Sequence, residues 1–151
     1  MQQIKEKLVA VGRAYKGLAG ANKSFSFAAS GMDGFRNLIE QRNMIMEDLD
    51  VLTESLIREV VETFPALEPQ LKNLIETLLV LVDNPEFAGE CETIKSCLSE
   101  LVDSDAALEK EIESLRDDMK AEIGRIRQGA RGLRGYRQIE TFGSCFIDKI
   151  K

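Results

Sequence analysis

The chain has no histidine and no tryptophan, and its 151 residues include only three prolines, three cysteines and two tyrosines. Without histidine, Ser–His and Cys–His nucleophilic catalysis is excluded, and proton transfer would fall to carboxylates, which are scattered along helix-like stretches. Cys91, Cys97 and Cys145 have no C-x-x-C spacing and no histidine to complete a zinc site, so free thiols are expected, with no metal and no cofactor. Gly129, Gly132 and Gly135 recur every third residue, but no Lys-Ser/Thr pair follows and no strand pattern precedes them. A phosphate loop or dinucleotide fingerprint is therefore not supported. These absences favour a binding protein over an enzyme. No run approaches about 20 uncharged apolar residues, the length a membrane span needs. The start, Met1-Gln-Gln-Ile-Lys-Glu-Lys, lacks the apolar stretch of a secretion signal. A cytoplasmic location without membrane insertion is expected.

What is present is charge and helical periodicity. The formal net charge is −6, and the two signs are segregated: residues 40–113 carry 19 acidic against 5 basic side chains, whereas residues 120–151 carry 8 basic and 3 acidic. An acidic body repels phosphate, which disfavours nucleic acid as a partner. Arg125, Arg127, Arg131, Arg134 and Arg137 fall mostly on one broad helical face, but Tyr136 is the only aromatic among them. A role for that segment on anionic lipid or nucleic acid is accordingly a minor alternative.

Along the chain, Ile4, Leu8, Val11, Tyr15 and Leu18 recur at steps of three and four, predicting an amphipathic helix that ends near Gly17 or Gly20. Residues 20–33 read as a flexible connector with two exposed phenylalanines, Phe25 and Phe27. A second helix is expected from about Gly34 to Phe64, with Leu38, Ile45 and Leu52 in one heptad row and Phe35, Arg42, Leu49 and Leu56 in another. Pro65 and Pro69 break it. The run from Leu71 to Val82 predicts a helix with a broad apolar face, best buried between neighbours. Asp83-Asn84-Pro85-Glu86 then has the cap, proline and acid of a helix start. The last helix carries Ile94, Leu101, Leu108 and Leu115 in one row and Ile112, Met119, Ile126 and Leu133 in a second. Asp105 stands where the second row calls for an apolar residue, predicting a bend near Ser104–Asp105. Gly124, Gly129, Gly132 and Gly135 should weaken its end, each at about 1 kcal/mol relative to alanine.

These readings predict an all-α protein, an elongated antiparallel bundle or coiled-coil hairpin of three to four helices. The expected organisation is an N-terminal segment and connector (1–33), a helical bundle (34–135) and a tail (136–151). The tail places Tyr136, Phe142, Phe146 and Ile147 among glycines and basic residues, a composition suited to contacting a partner rather than to ending a helix.

The run Leu115-Arg-Asp-Asp-Met-Lys-Ala-Glu-Ile-Gly-Arg-Ile-Arg-Gln-Gly-Ala-Arg-Gly-Leu-Arg-Gly-Tyr136, followed by Phe146-Ile-Asp-Lys149, resembles the FlgN type of flagellar export chaperone. The Leu-rich middle of the chain is similar to FlgN and its relative FliT in helical pattern. The resemblance implies a bacterial cytoplasmic chaperone of type III export. Such a chaperone binds the C-terminal amphipathic helix of hook–filament junction proteins, prevents premature assembly and delivers its client to the export gate membrane protein; for the FliT type the client is the filament cap protein. It further implies client contact along Leu108, Ile112, Leu115, Met119, Ile123 and Ile126, and export-gate docking through Tyr136. The segment 1–33 lies outside the family pattern, and it is expected to occupy, in the same or a neighbouring chain, an apolar groove otherwise meant for a client. The rival reading from a different class is a structural coiled-coil protein whose heptads form a homodimer seam and bind no client.

Overall fold

The fold is taken from a computed structural model, in which residues 1–132 are described. Among them there is no strand, and the protein is all-α. The elements are α1 (Gln2–Ser24), α2 (Phe27–Thr63), a 3₁₀ helix (Pro65–Gln70), α3 (Leu74–Leu81) and α4 (Ala88–Gly132). The chain divides into two units, Met1–Leu108 and Glu109–Lys151.

In the first unit, α1 runs through Gly17 and Gly20 and stops only at Ser24, beyond the expected end. Leu18, Ala19 and Asn22 are all buried, so packing overrides the helix-weakening effect of glycine. The segment expected to be a flexible connector is therefore mostly helical. Phe25, in extended backbone, and Ser26 link α1 to α2. Phe25, Phe27 and Phe35 are half-buried against one another, with ring centroids 4.8, 5.8 and 5.1 Å apart, rather than exposed. The helix α2 thus begins seven residues before Gly34, and the connector expected there survives as the extended Phe25–Ser26 link and an interruption at Gly31, whose φ of +61° favours glycine. Folding the chain back at this point brings Ser30 so close that a Cβ on Gly34 would lie 2.1 Å from the Ser30 Cβ.

Ile4, Leu8 and Val11 of α1 pack with Leu49, Leu56 and Val60 of α2, with Leu71 and Leu81, with Phe87 just before α4, and with Cys91 and Ile94 in its first turns. Each fully buried side chain of this size contributes about 1.5–3 kcal/mol. A smaller cluster joins Leu18 and Ala19 to Leu101. Lys7 reaches Glu59 at 3.0 Å while Arg42 meets Asn22, so α1 and α2 are antiparallel. Gly12 lies beside Ile94 and Asn22 beside Ser104, so α1 and α4 run in the same direction. The apolar face of α1 is thus part of the core of its own chain, packed against α2 and the first half of α4.

The connections follow local hydrogen bonding. The predicted start of α3 at Leu71 moves to Leu74 because Asn73 caps it: the Glu76 backbone N–H donates to the Asn73 side chain at 2.9 Å, and the Glu76 carboxylate accepts from the Lys72 N–H at 2.9 Å. Leu71 instead enters the core from non-helical backbone. Asn84 accepts from the Glu86 N–H at 3.0 Å and organises a turn, so α4 starts at Ala88, slightly later than the Asn-Pro signal suggested. No bend occurs at Ser104–Asp105, and α4 continues through Gly124 and Gly129.

Candidate docking surfaces

Asn22 occupies the next position of the row Ile4, Leu8, Val11, Tyr15, Leu18, and it is buried. Its side-chain N–H₂ donates to Ser104 Oγ at 3.0 Å and to Asp105 Oδ1 at 2.6 Å. Arg42 donates to Asn22 Oδ1 and to Asp105 Oδ1, the latter at 2.9 Å. The polar exceptions of three heptad rows therefore meet at one level and join α1, α2 and α4. Ser104 Oγ also donates to the Leu101 carbonyl at 2.9 Å, and among the described residues no buried side-chain nitrogen or oxygen lacks a partner. This accounts for the unbroken helix at this level: Asp105 completes a polar layer that fixes helix register instead of interrupting the seam.

Of the predicted client-binding residues, Leu108 is the last residue of the first unit and is half-buried. In the second unit Ile112 and Met119 are 37% and 42% exposed, and Leu115, Ile123 and Ile126 are half-buried. At about 100° per residue these five side chains fall within a stripe about 80° wide and about 21 Å long. Such a stripe is the geometry by which one amphipathic helix accepts another. Tyr136, Phe142, Phe146 and Ile147 lie outside the described residues, as does Cys145.

A second apolar surface was not foreseen. Ile75 and Leu79 of α3 are 67% and 64% exposed, whereas Leu81 and Thr77 face the core. With Leu78, Val82, Cys91 and Leu98 they border a groove of about 330 Å³ between α3 and α4, its rim carrying Glu92 and Lys95. The eight residues of α3 are apolar nearly all round, so a helix packed on one side must leave part of its surface outside; that composition was the available signal. Another cleft, of about 380 Å³, runs between α1 and α4 past Gly12 and Gly89 and is bordered by Arg13, Lys16 and Glu90.

Reactive chemistry is scarce in the described residues. Cys91 is buried, and burial together with the nearby Glu90 and Glu92 carboxylates pushes its thiol up to about 11. It is protonated at neutral pH and is a poor nucleophile. The Tyr15 hydroxyl is likewise shifted upward by burial and by Asp50. No group of cysteines and carboxylates among the described residues could hold a metal ion, and no described helix is long and apolar enough to cross a membrane. Comparison with family models, curated proteins and solved structures gives no match to this chain.

Proposed function

We propose that the chain is a non-enzymatic, cytoplasmic helix-binding protein of the FlgN type, a flagellar export chaperone whose clients are hook–filament junction proteins. In this reading the first unit is an antiparallel helical bundle that anchors α4. The Ile112–Ile126 stripe of α4 receives the client's C-terminal amphipathic helix and prevents its premature assembly. Tyr136 then docks the loaded chaperone on the export gate membrane protein. The observation that carries the reading is the stripe itself: heptad residues that recur on one face while Ile112 and Met119 stay exposed. The resemblance of Leu115–Tyr136 and Phe146–Lys149 to the family supplies the client class. A short apolar stripe with charged flanks suits a contact that must later be released.

The test is calorimetric titration with C-terminal segments of the hook–filament junction and filament cap proteins from the same organism, together with light scattering. Binding of a junction segment at micromolar affinity or tighter, one to one, and its loss in Met119→Asp, is expected. Preference for the cap segment would move the chain to the FliT type. No heat from either segment, with a tight homodimer by scattering, would replace the chaperone reading with a coiled-coil self-association protein.

A further inference from the structure

We propose that the outer face of α2 is a docking site for a partner helix that is apolar on one side and basic along one edge. Met32, Ile39 and Met46 stand seven apart on α2 and are 66%, 41% and 45% exposed. Phe35, half-buried against Phe25 and Phe27, continues the same side. At about 100° per residue these four side chains fall within a strip about 60° wide and about 21 Å long. An apolar row at heptad spacing is a surface that a second helix covers. Methionine suits such a contact, because its unbranched side chain adapts to the surface it meets.

Charge selects the occupant. On its inner side the strip is bounded by Arg42, which is committed to Asn22 and Asp105. On its outer side Glu40, Glu47 and Glu54 form a parallel row, also seven apart and all exposed, and none of the three enters an ion pair among the described residues. Asp50, exposed, ends the strip with a further negative charge. Arg36, near the start, is the one basic residue of α2 on the outer side between Met32 and Glu54. Two copies of this face would set glutamate against glutamate, so symmetric self-pairing is disfavoured. A helix with Lys or Arg at heptad spacing beside its apolar row places a cation opposite each glutamate, the pairing that sets partner choice between helices. An acid on the partner opposite Arg36 would fix its direction. The proposal does not rest on the chaperone reading, because the Ile112–Ile126 stripe takes no part in it.

The test uses the full chain and a fluorescent synthetic peptide of about three heptads, with leucines along one face and lysines along one edge, beside a twin carrying glutamate for every lysine. Fluorescence anisotropy at low and high salt reads the affinity, and circular dichroism confirms that each variant is folded. The lysine peptide is expected to bind the wild type at least about tenfold more tightly than its twin. Met46→Asp interrupts the apolar strip and is expected to weaken binding at least about tenfold, in high salt as well as low. Glu40→Lys, Glu47→Lys and Glu54→Lys combined leave the strip intact and are expected to reverse the preference, so that the glutamate twin binds more tightly. Leu79→Asp in the α3–α4 groove and Ile123→Asp in the α4 stripe should bind the lysine peptide as the wild type does. Binding of neither peptide overturns the proposal. So does binding that survives Met46→Asp and vanishes in high salt, which is charge attraction alone. Binding lost in Leu79→Asp or Ile123→Asp also overturns it, by placing the helix on another surface.

Discussion

The two halves of α4 carry the same kind of heptad and meet opposite fates. In the first unit Ile94 is wholly buried and Leu101 is 9% exposed, because α1 runs alongside and supplies Leu8, Val11 and Leu18. In the second unit Ile112 and Met119 are 37% and 42% exposed on the same helix. A heptad in the sequence therefore states that a face is to be covered without stating by what. The difference separates anchoring residues from candidate binding residues along a single element.

The sharpest way to break the comparison is to make one substitution in both halves. Ile94→Ala should cost about 2–5 kcal/mol, the range for deleting buried aliphatic atoms. Ile112→Ala should stay within about 0.5 kcal/mol, as exposed positions do. Urea denaturation followed by circular dichroism measures both, and equal losses would remove the distinction. The polar layer comes next. Asn22→Ala strips Ser104 and Asp105 of a donor and should cost about 1–3 kcal/mol. Replacing Asn22, Arg42 and Asp105 together by leucine removes the layer's donors and acceptors as a set and should leave stability unchanged or raised, since a polar layer specifies register more than it stabilises.

A smaller effect is expected at the α1–α2 link. Gly34→Ala forces the Ser30 turn apart and should raise amide exchange in residues 25–35, with a global loss of about 1 kcal/mol. Smallest in stability, but still diagnostic, is the contrast between the two thiols of the first unit. In a Cys145→Ser background at neutral pH, an alkylating reagent should modify half-buried Cys97 before buried Cys91, as followed by mass spectrometry. The Cys91 thiol is displaced upward in the folded chain, so the unfolded chain loses its proton first. This contribution to stability is intact below the ordinary value near 9.0 and is lost as pH rises toward about 11.

Much of the fold was legible in the sequence because buried rows recur at three and four residues. Leu49 and Leu56 of α2 and Ile94 of α4 all lie in the core where their periodicity placed them. What was misread shares one cause. The glycines at 17 and 20, and Ser104–Asp105, are breaks only by local rules, and tertiary contacts reverse each: Leu18 and Ala19 hold α1 helical, and Asn22 and Arg42 supply partners for Asp105. The polar exceptions would have been readable as a set, since a misplaced asparagine, arginine and aspartate in three rows can satisfy one another. The α3–α4 groove was not readable in the same way. Periodicity shows that the Leu71–Val82 run is apolar, but which side faces the core depends on the Asn73 cap and on where Phe87 enters.

The central claim, that α4 is anchored by its first half and available for binding through its second, is tested most directly by hydrogen exchange along α4. The protein is measured dilute, with and without the C-terminal segment of a hook–filament junction protein. The account predicts strong protection of residues 88–108 in both samples and a gain of protection confined to residues 109–132 when the segment is added. Unchanged exchange in residues 109–132, or a gain centred on α1 and α2 instead, would contradict it.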